Sequence, residues 1–118
     1  MSHEIIQVEN VTLPDGGVYT GEAVKNFAFI NICGKGKVRN MDGSTYEGEW
    51  ENGRPNGYGI YTFPDGDFHK GFFDDTPNGP GYLCLNTKRS MTLGFYRNGV
   101  LNGWAISLSG GSFNCSFL

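Results

Sequence analysis

Histidine is scarce in this chain, which holds His3 and His69 and no third. Neither sits in a local nucleophile motif, and a metal site would need several His, Cys or Asp side chains at ligand spacing. The three cysteines, Cys33, Cys84 and Cys115, are an odd count with no CxxC pair. That spacing speaks against a zinc site or a disulfide framework, and the sequence predicts small buried apolar thiols in a reducing compartment. Long apolar runs are missing too: nothing approaches the roughly 18 residues of a membrane span. The first residues carry Glu4 and Glu9 and no basic stretch ahead of an apolar one, unlike a secretory leader. The expected location is therefore cytoplasmic. Basic charge is sparse, with nine Lys and Arg against twelve Asp and Glu and a net charge of −3. Nucleic acid, which selects clustered Lys and Arg, is excluded as a partner, and a strongly anionic membrane surface is disfavoured. Glycine or proline interrupts nearly every window long enough to hold a helical stripe.

Glycine itself is abundant, at 19 of 118 residues, about twice the usual usage of roughly 7%. It follows no every-third-residue period, which rules out collagen, and it is mixed with two Trp, six Tyr and nine Phe, which rules out a flexible linker. The clearest unit runs from Asp42-Gly43 through Tyr46-Glu47-Gly48-Glu49-Trp50-Glu51-Asn52-Gly53 and Gly57-Tyr58-Gly59 to Pro64. A second unit opens at Asp65-Gly66, 23 residues on, and Gly48, Gly71 and Gly94 keep that spacing. Such self-similarity marks a repeat architecture. Gly57-Tyr58-Gly59 has counterparts in Gly34-Lys35-Gly36, Gly79-Pro80-Gly81 and Gly103-Trp104-Ala105. The step from Gly21 to Gly48 is longer, at 27 residues, with the extra length around Phe27-Ala28-Phe29-Ile30, as a bulge or a longer loop.

Each unit reads as two strands. Tyr46, Gly48 and Trp50 alternate with Glu47, Glu49 and Glu51, the period of a half-buried strand. Residues 57–63 form a second short run rich in aromatic and β-branched side chains. Asn52-Gly53 and Asp65-Gly66 supply the left-handed positions that hairpin turns require. The expected fold is all-β, a single-layer antiparallel meander or solenoid of about ten strands. It forms one domain over 1–118, with a half-repeat at 1–14, repeats at roughly 15–41, 42–64, 65–87 and 88–110, and a half-repeat at 111–118. The apolar end segments imply self-association through edge strands.

These residues carry a family likeness. Tyr46-x-Gly48-x-Trp50, Asn52-Gly53, Gly57-x-Gly59 and then Asp65-Gly66 resemble the MORN repeat. The resemblance extends over roughly residues 13 to 111. Departures occur at His69 and Thr92 for the opening tyrosine, Ala23 for the tryptophan, Asp74-Asp75-Thr76 for the Asn-Gly turn, and Lys88-Arg89 for Asp-Gly. The resemblance implies a non-catalytic scaffold that binds a protein or peptide and needs no cofactor. A phospholipid-associated adaptor, an immunity-type repeat protein and an accessory segment of a larger enzyme rank behind it.

The residues themselves offer little catalysis. Glu47, Glu49 and Glu51 read as one solvated strand face rather than paired acids. Asp65-Gly66-Asp67 and Asp74-Asp75 read as turns, because the order of an EF-hand loop is missing. The GxG pairs precede strands, whereas a phosphate cradle needs a following helix. Lys35, Lys37 and Arg39 form a small basic row that lipid headgroups could contact. The binding expectation rests on aromatics. Tyr46, Trp50, Phe73 and Tyr96 should share one strand face, as core, as partner site or as both, with Tyr61, Phe63, Leu83 and Leu85 extending the surface. Gly21, Gly48, Gly59, Gly71, Gly81 and Gly94 are the expected structural glycines, there to let those rings approach the backbone.

Overall fold

A computed structural model describes residues 4–25, 29–85 and 89–109. Nine strands follow one another: β1 (Glu4–Thr12), β2 (Val18–Lys25), β3 (Ile30–Arg39), β4 (Thr45–Glu51), β5 (Arg54–Thr62), β6 (Phe68–Asp74), β7 (Thr76–Leu85), β8 (Ser90–Arg97) and β9 (Val100–Ser109). Every strand pairs antiparallel with its chain neighbours, giving one open sheet in sequential order. The molecule is elongated, 53 × 27 × 23 Å. The expected all-β meander is thus the observed fold, and each repeat contributes a first and a second strand. The C-terminal half-repeat, with Phe113, Cys115 and Phe117, and the segment 26–28 lie outside the described residues.

Two kinds of turn alternate. The tight ones carry left-handed residues in pairs: Asn52 and Gly53 at φ 50° and 78°, and Asn98 and Gly99 at φ 52° and 83°. Asparagine tolerates this region and glycine adopts it freely, so the turn twists with the strands it joins. The Asp74-Asp75-Thr76 departure reaches the same end with Asp75 alone, at φ 68°. The wider turns repeat one device three times. Asp15, Asp42 and Asp65 each accept the N–H two residues on, from Gly17, Ser44 and Asp67, at 2.8–2.9 Å. Gly16, Gly43 and Gly66 follow at φ 92–99°. The aspartates are therefore turn residues.

The glycines form a row that crosses the sheet. Gly21 pairs with Gly36, Gly36 with Gly48, Gly48 with Gly59, Gly59 with Gly71, Gly71 with Gly81, and Gly81 with Gly94. Val8 and Ala105 close the row at its two ends. Two roles divide along it. A Cβ at Gly48 would meet backbone, Gly59 Cα and Tyr58 O at 2.5 Å. A Cβ at Gly36 or Gly59 would enter the ring of Tyr19 or Tyr46. The aromatic ring thus lies over the glycine of the following strand, and its own strand's glycine permits close backbone approach.

The edges differ in chemistry. β1 carries Glu4 and Glu9, and it is bulged between Val8 and Val11, with Asn10 at φ 54°. β9 has no charged residue in ten and is exposed along its length. Charge and bulges discourage strand addition: β1 carries both, whereas β9, the last strand among the described residues, is bulged between Leu101 and Ala105 but carries no charge.

Gly59→Ala should destabilise by ~2 kcal/mol or more, the scale of overpacking. In a Tyr46→Ala background the same change should cost much less, because the ring is gone. Denaturant titration of the four-member cycle checks this; additive costs would show that ring and glycine do not share that space.

Candidate functional site

One face of the sheet collects the aromatics. Ring centroids run from Tyr19 to Trp50 at 5.3 Å, Trp50 to Tyr46 at 5.2 Å and Tyr46 to Phe73 at 5.0 Å. The row continues from Phe73 to His69 at 5.6 Å and from His69 to Tyr96 at 4.5 Å, all edge to face. Rings meeting this way gain beyond the area they bury. Tyr46, Trp50, Phe73 and Tyr96 are 2–6% exposed. The four residues singled out from sequence therefore come together on one face, and they pack there as the core.

Their polar atoms are satisfied along the row. Tyr19 Oη–H donates to Glu22 O at 2.6 Å, Tyr46 Oη–H to Glu49 O at 3.0 Å, and Trp50 Nε1–H to Gly36 O at 2.9 Å. Burial, with the nearby carboxylates of Glu22 and Glu49, pushes the two phenols up to about 12, so they stay neutral donors. His69 breaks the pattern. It fills the tyrosine slot over Gly81, 3% exposed, with Nε2 unpartnered. Burial holds its imidazole down to about 4.

Phe73 and Tyr96 are the two members of that set that border one groove on the aromatic face. With Tyr61, Phe63, Leu83 and Asp75 they line a groove of about 300 Å³. An adjoining depression of about 410 Å³ is lined by Phe63, Leu83, Leu85 and Asp65. Register settles which face these second-strand residues join: Tyr61 stands opposite Tyr46 and His69, and Leu83 stands opposite His69. All belong to the aromatic face. Acidity comes from Asp75 at the groove and from Asp65 and Asp67 at the adjoining depression. Glu47 and Glu49, the solvated strand face of the sequence reading, lie on the other face.

Glu49 has a role that the alternation did not suggest. Its carboxylate accepts the Tyr58 N–H at 2.7 Å beside Gly57, at φ 103°, and Glu22 does the same for Lys35 beside Gly34. A carboxylate that closes a β-bulge in two successive units is structural. The repeated dipeptides Gly21-Glu22 and Gly48-Glu49 were the available signal.

The opposite face changes character along the molecule. Across β2–β4 two registered rows read Thr20, Lys37, Glu47 and Val18, Arg39, Thr45. Across β5–β9 the same rows read Ile60, Lys70, Tyr82, Leu93, Ile106 and Thr62, Phe68, Cys84, Met91, Leu108. Lys70 is the one charge among those ten. Beside them lie Tyr58, Phe72, Pro80 and Phe95, in which Tyr58 pairs with Phe72 and Pro80 with Phe95. The basic row is balanced by its neighbour strand, since Lys35 opposes Glu49 and Lys37 opposes Glu47. The expectation of buried thiols is modified here: Cys33 is a half-buried free cysteine, whereas Cys84 is buried and disulfide-bonded. Cysteine usage therefore does not identify the compartment.

Repeated hairpins in one layer, three of them resting a ring on the next strand's glycine, define the chain as a β-repeat protein. Residues 46–68 match the family model described as MORN repeat, so the chain carries a MORN repeat there. MORN repeats are generally protein- or membrane-interaction modules and typically non-catalytic. Among curated proteins nothing matches the chain. Among the described residues no helix is long and apolar enough to cross a membrane, and no three His, Cys, Asp or Glu side chains gather as a metal site.

His69→Tyr should add the hydroxyl seen at Tyr19 and Tyr46 and stabilise by about 1 kcal/mol, the worth of a hydrogen bond. The native chain should also lose stability in acid. Unfolded His69 protonates near 6.5 and folded His69 near 4, so the stabilisation is full above 6.5 and declines as pH falls toward 4. Thermal melts from pH 7 to 4 should show a steeper decline for the native chain than for His69→Tyr; parallel curves would contradict this account.

Proposed function

We propose that this chain is a protein-interaction module whose partner segment lies along the aromatic face, over the groove formed by Tyr61, Phe63, Leu83 and Leu85. The observation that carries the reading is the position of Phe73 and Tyr96, which are packed in the aromatic row and also line that open groove. Tyr46 and Trp50 act one layer back, holding Phe73 through ring contacts. Rigid aromatic anchors set on a packed support concentrate interface energy. Asp65 and Asp75 at the rim favour a partner segment that combines apolar anchors with Lys or Arg, and they make association salt-sensitive.

Phospholipid association ranks second. The basic row of Lys35, Lys37 and Arg39 is offset by Glu47 and Glu49 on the next strand, and the net charge is −3. Attraction to anionic lipid scales with unbalanced Lys and Arg near the surface, and this face has little.

Peptide display on the native chain should enrich sequences mixing apolar residues with Lys or Arg. Leu83→Asp should weaken the selected peptides at least about tenfold while keeping a β-sheet spectrum, and salt should weaken them further. Trp50→Ala should instead destabilise the whole fold by ~3–5 kcal/mol, as large aromatic truncations in a core do. Peptides that bind Leu83→Asp at full strength would place the site elsewhere.

A further inference from the structure

The sheet is a single layer, yet one spot on the face opposite the aromatic row is buried as a two-layer core would be. Cys84 is 0% exposed and Met91 5%, with Phe68 and Tyr82 packed against them. Phe68, Cys84, Met91 and Leu108 form one registered row across β6–β9. Neighbours in a row shield the flanks of a side chain and leave its tip to solvent. Met91 is buried all the same, although Leu93, two residues along β8, is 37% exposed and Leu108, opposite it on β9, is 47% exposed. The cover is therefore narrow, one row deep and centred on β7 and β8. Oxidation marks the same spot. Cys84 is disulfide-bonded and Cys33 is free, in a chain with three cysteines.

We propose that the cover is this chain's own segment 110–118, which lies outside the described residues, folded back across β8 as a strap and tied down by a disulfide between Cys115 and Cys84. With Cys33 free, Cys115 is the one remaining partner within the chain. The reach is sufficient. Leu108 lies beside Met91 and Met91 beside Cys84, so Cys84 stands two strand spacings, about 10 Å, from β9. The six residue steps from Ser109 to Cys115 extend to about 20 Å. The pattern is suitable as well. Gly110-Gly111 supplies a reversal. Phe113, Cys115 and Phe117 then alternate with Ser112, Asn114 and Ser116, which sets both rings on the side of the thiol. A tenth strand beside β9, the arrangement the repeat implies, cannot make this bond. Cys115 would then lie three strand spacings, about 14 Å, from Cys84, and a disulfide bridges Cα atoms no more than roughly 7 Å apart.

The bond makes the cover responsive to thiol–disulfide exchange. Starting from the dithiol, one cysteine thiolate attacks oxidised glutathione and expels one glutathione thiolate. The other cysteine's thiolate then attacks the protein sulfur of the mixed disulfide and expels the second. Two glutathione thiols leave as the Cys84–Cys115 bond forms, and a dithiol reductant reverses both steps. The oxidised chain keeps the Cys84–Met91 row closed. In the reduced chain only Phe113 and Phe117 hold the strap, and the row opens more readily. This latch is independent of the groove on the aromatic face.

The test starts with the full chain equilibrated with oxidised glutathione, digested without reduction and mapped by mass spectrometry. Cys84 should be recovered joined to Cys115, from a chain that runs as a monomer on a non-reducing gel. Methionine oxidation by dilute hydrogen peroxide then reads the cover, with Met41, 82% exposed, as internal standard. Met91 should oxidise at least about tenfold more slowly than Met41, since susceptibility follows exposure. In a chain carrying Phe113→Ser, Cys115→Ser and Phe117→Ser together, the Met91 rate should rise about fivefold or more while that of Met41 is unchanged. Cys33→Ser should alter neither rate, and far-UV spectra should report an unchanged sheet for both variants. Cys84 recovered as a free thiol, or joined to a second chain, overturns the proposal. Met91 that stays protected in the triple variant also overturns it, and assigns the cover to the connection between β7 and β8.

Discussion

The structure depends on a ring lying flat against a strand that has no side chain beneath it. Tyr19 over Gly36 and Tyr46 over Gly59 are the two full instances, and His69 over Gly81 is the shortened one. A single-layer sheet has no second layer to fill its core, so it must bury apolar area against its own backbone. Glycine makes this feasible in a strand, where it otherwise weakens packing. Because each ring meets only its own repeat and the adjoining ones, stability grows by nearest-neighbour steps between repeats, as in other repeat proteins. The carbonyls that receive Tyr19, Tyr46 and Trp50 then set the orientation of the rings.

The proposed function follows from what this arrangement leaves open. On the aromatic face the first-strand rings close over one another, and the second-strand side chains Tyr61 and Leu83 remain beside them as groove walls. The core and the proposed site are then adjacent layers of one surface. The two kinds of residue should respond differently to mutation, the first through stability and the second through affinity. On the other face Gly34 and Gly57 meet the side chains of Glu22 and Glu49, and Gly79 meets Phe72. The chemistry of that face is free to vary between repeats, and it passes from balanced charge over β2–β4 to an apolar surface over β5–β9.

The departures from the repeat have distinct physical outcomes. Asp75 replaces an Asn-Gly turn at little cost, since aspartate tolerates φ near 68°. His69 replaces a tyrosine at greater cost, because imidazole fills the slot but leaves Nε2 without a partner. Phe72 and Phe95 stand where Glu22 and Glu49 close the bulge in the earlier units. They exchange a hydrogen bond for apolar surface, and with that change the later repeats lose the polar face of the earlier ones.

By itself the sequence determined the architecture, the turns and the common face of Tyr46, Trp50, Phe73 and Tyr96. Period-2 alternation, left-handed turn residues and a 23-residue spacing act locally, so they are legible without coordinates. It also marked glycines as a condition for packing aromatics; a ring lies over Gly59 and Gly81 of that set, whereas Gly21, Gly48 and Gly71 meet backbone first. Tertiary structure decided which glycine meets a ring and which meets backbone, because that depends on cross-strand register. It decided that Glu49 closes a bulge, that Glu47 and Glu49 lie away from the groove, and that Tyr61 and Leu83 join the aromatic face. Alternation says that successive side chains part company; only the pairing of one strand with the next says which face each one shares.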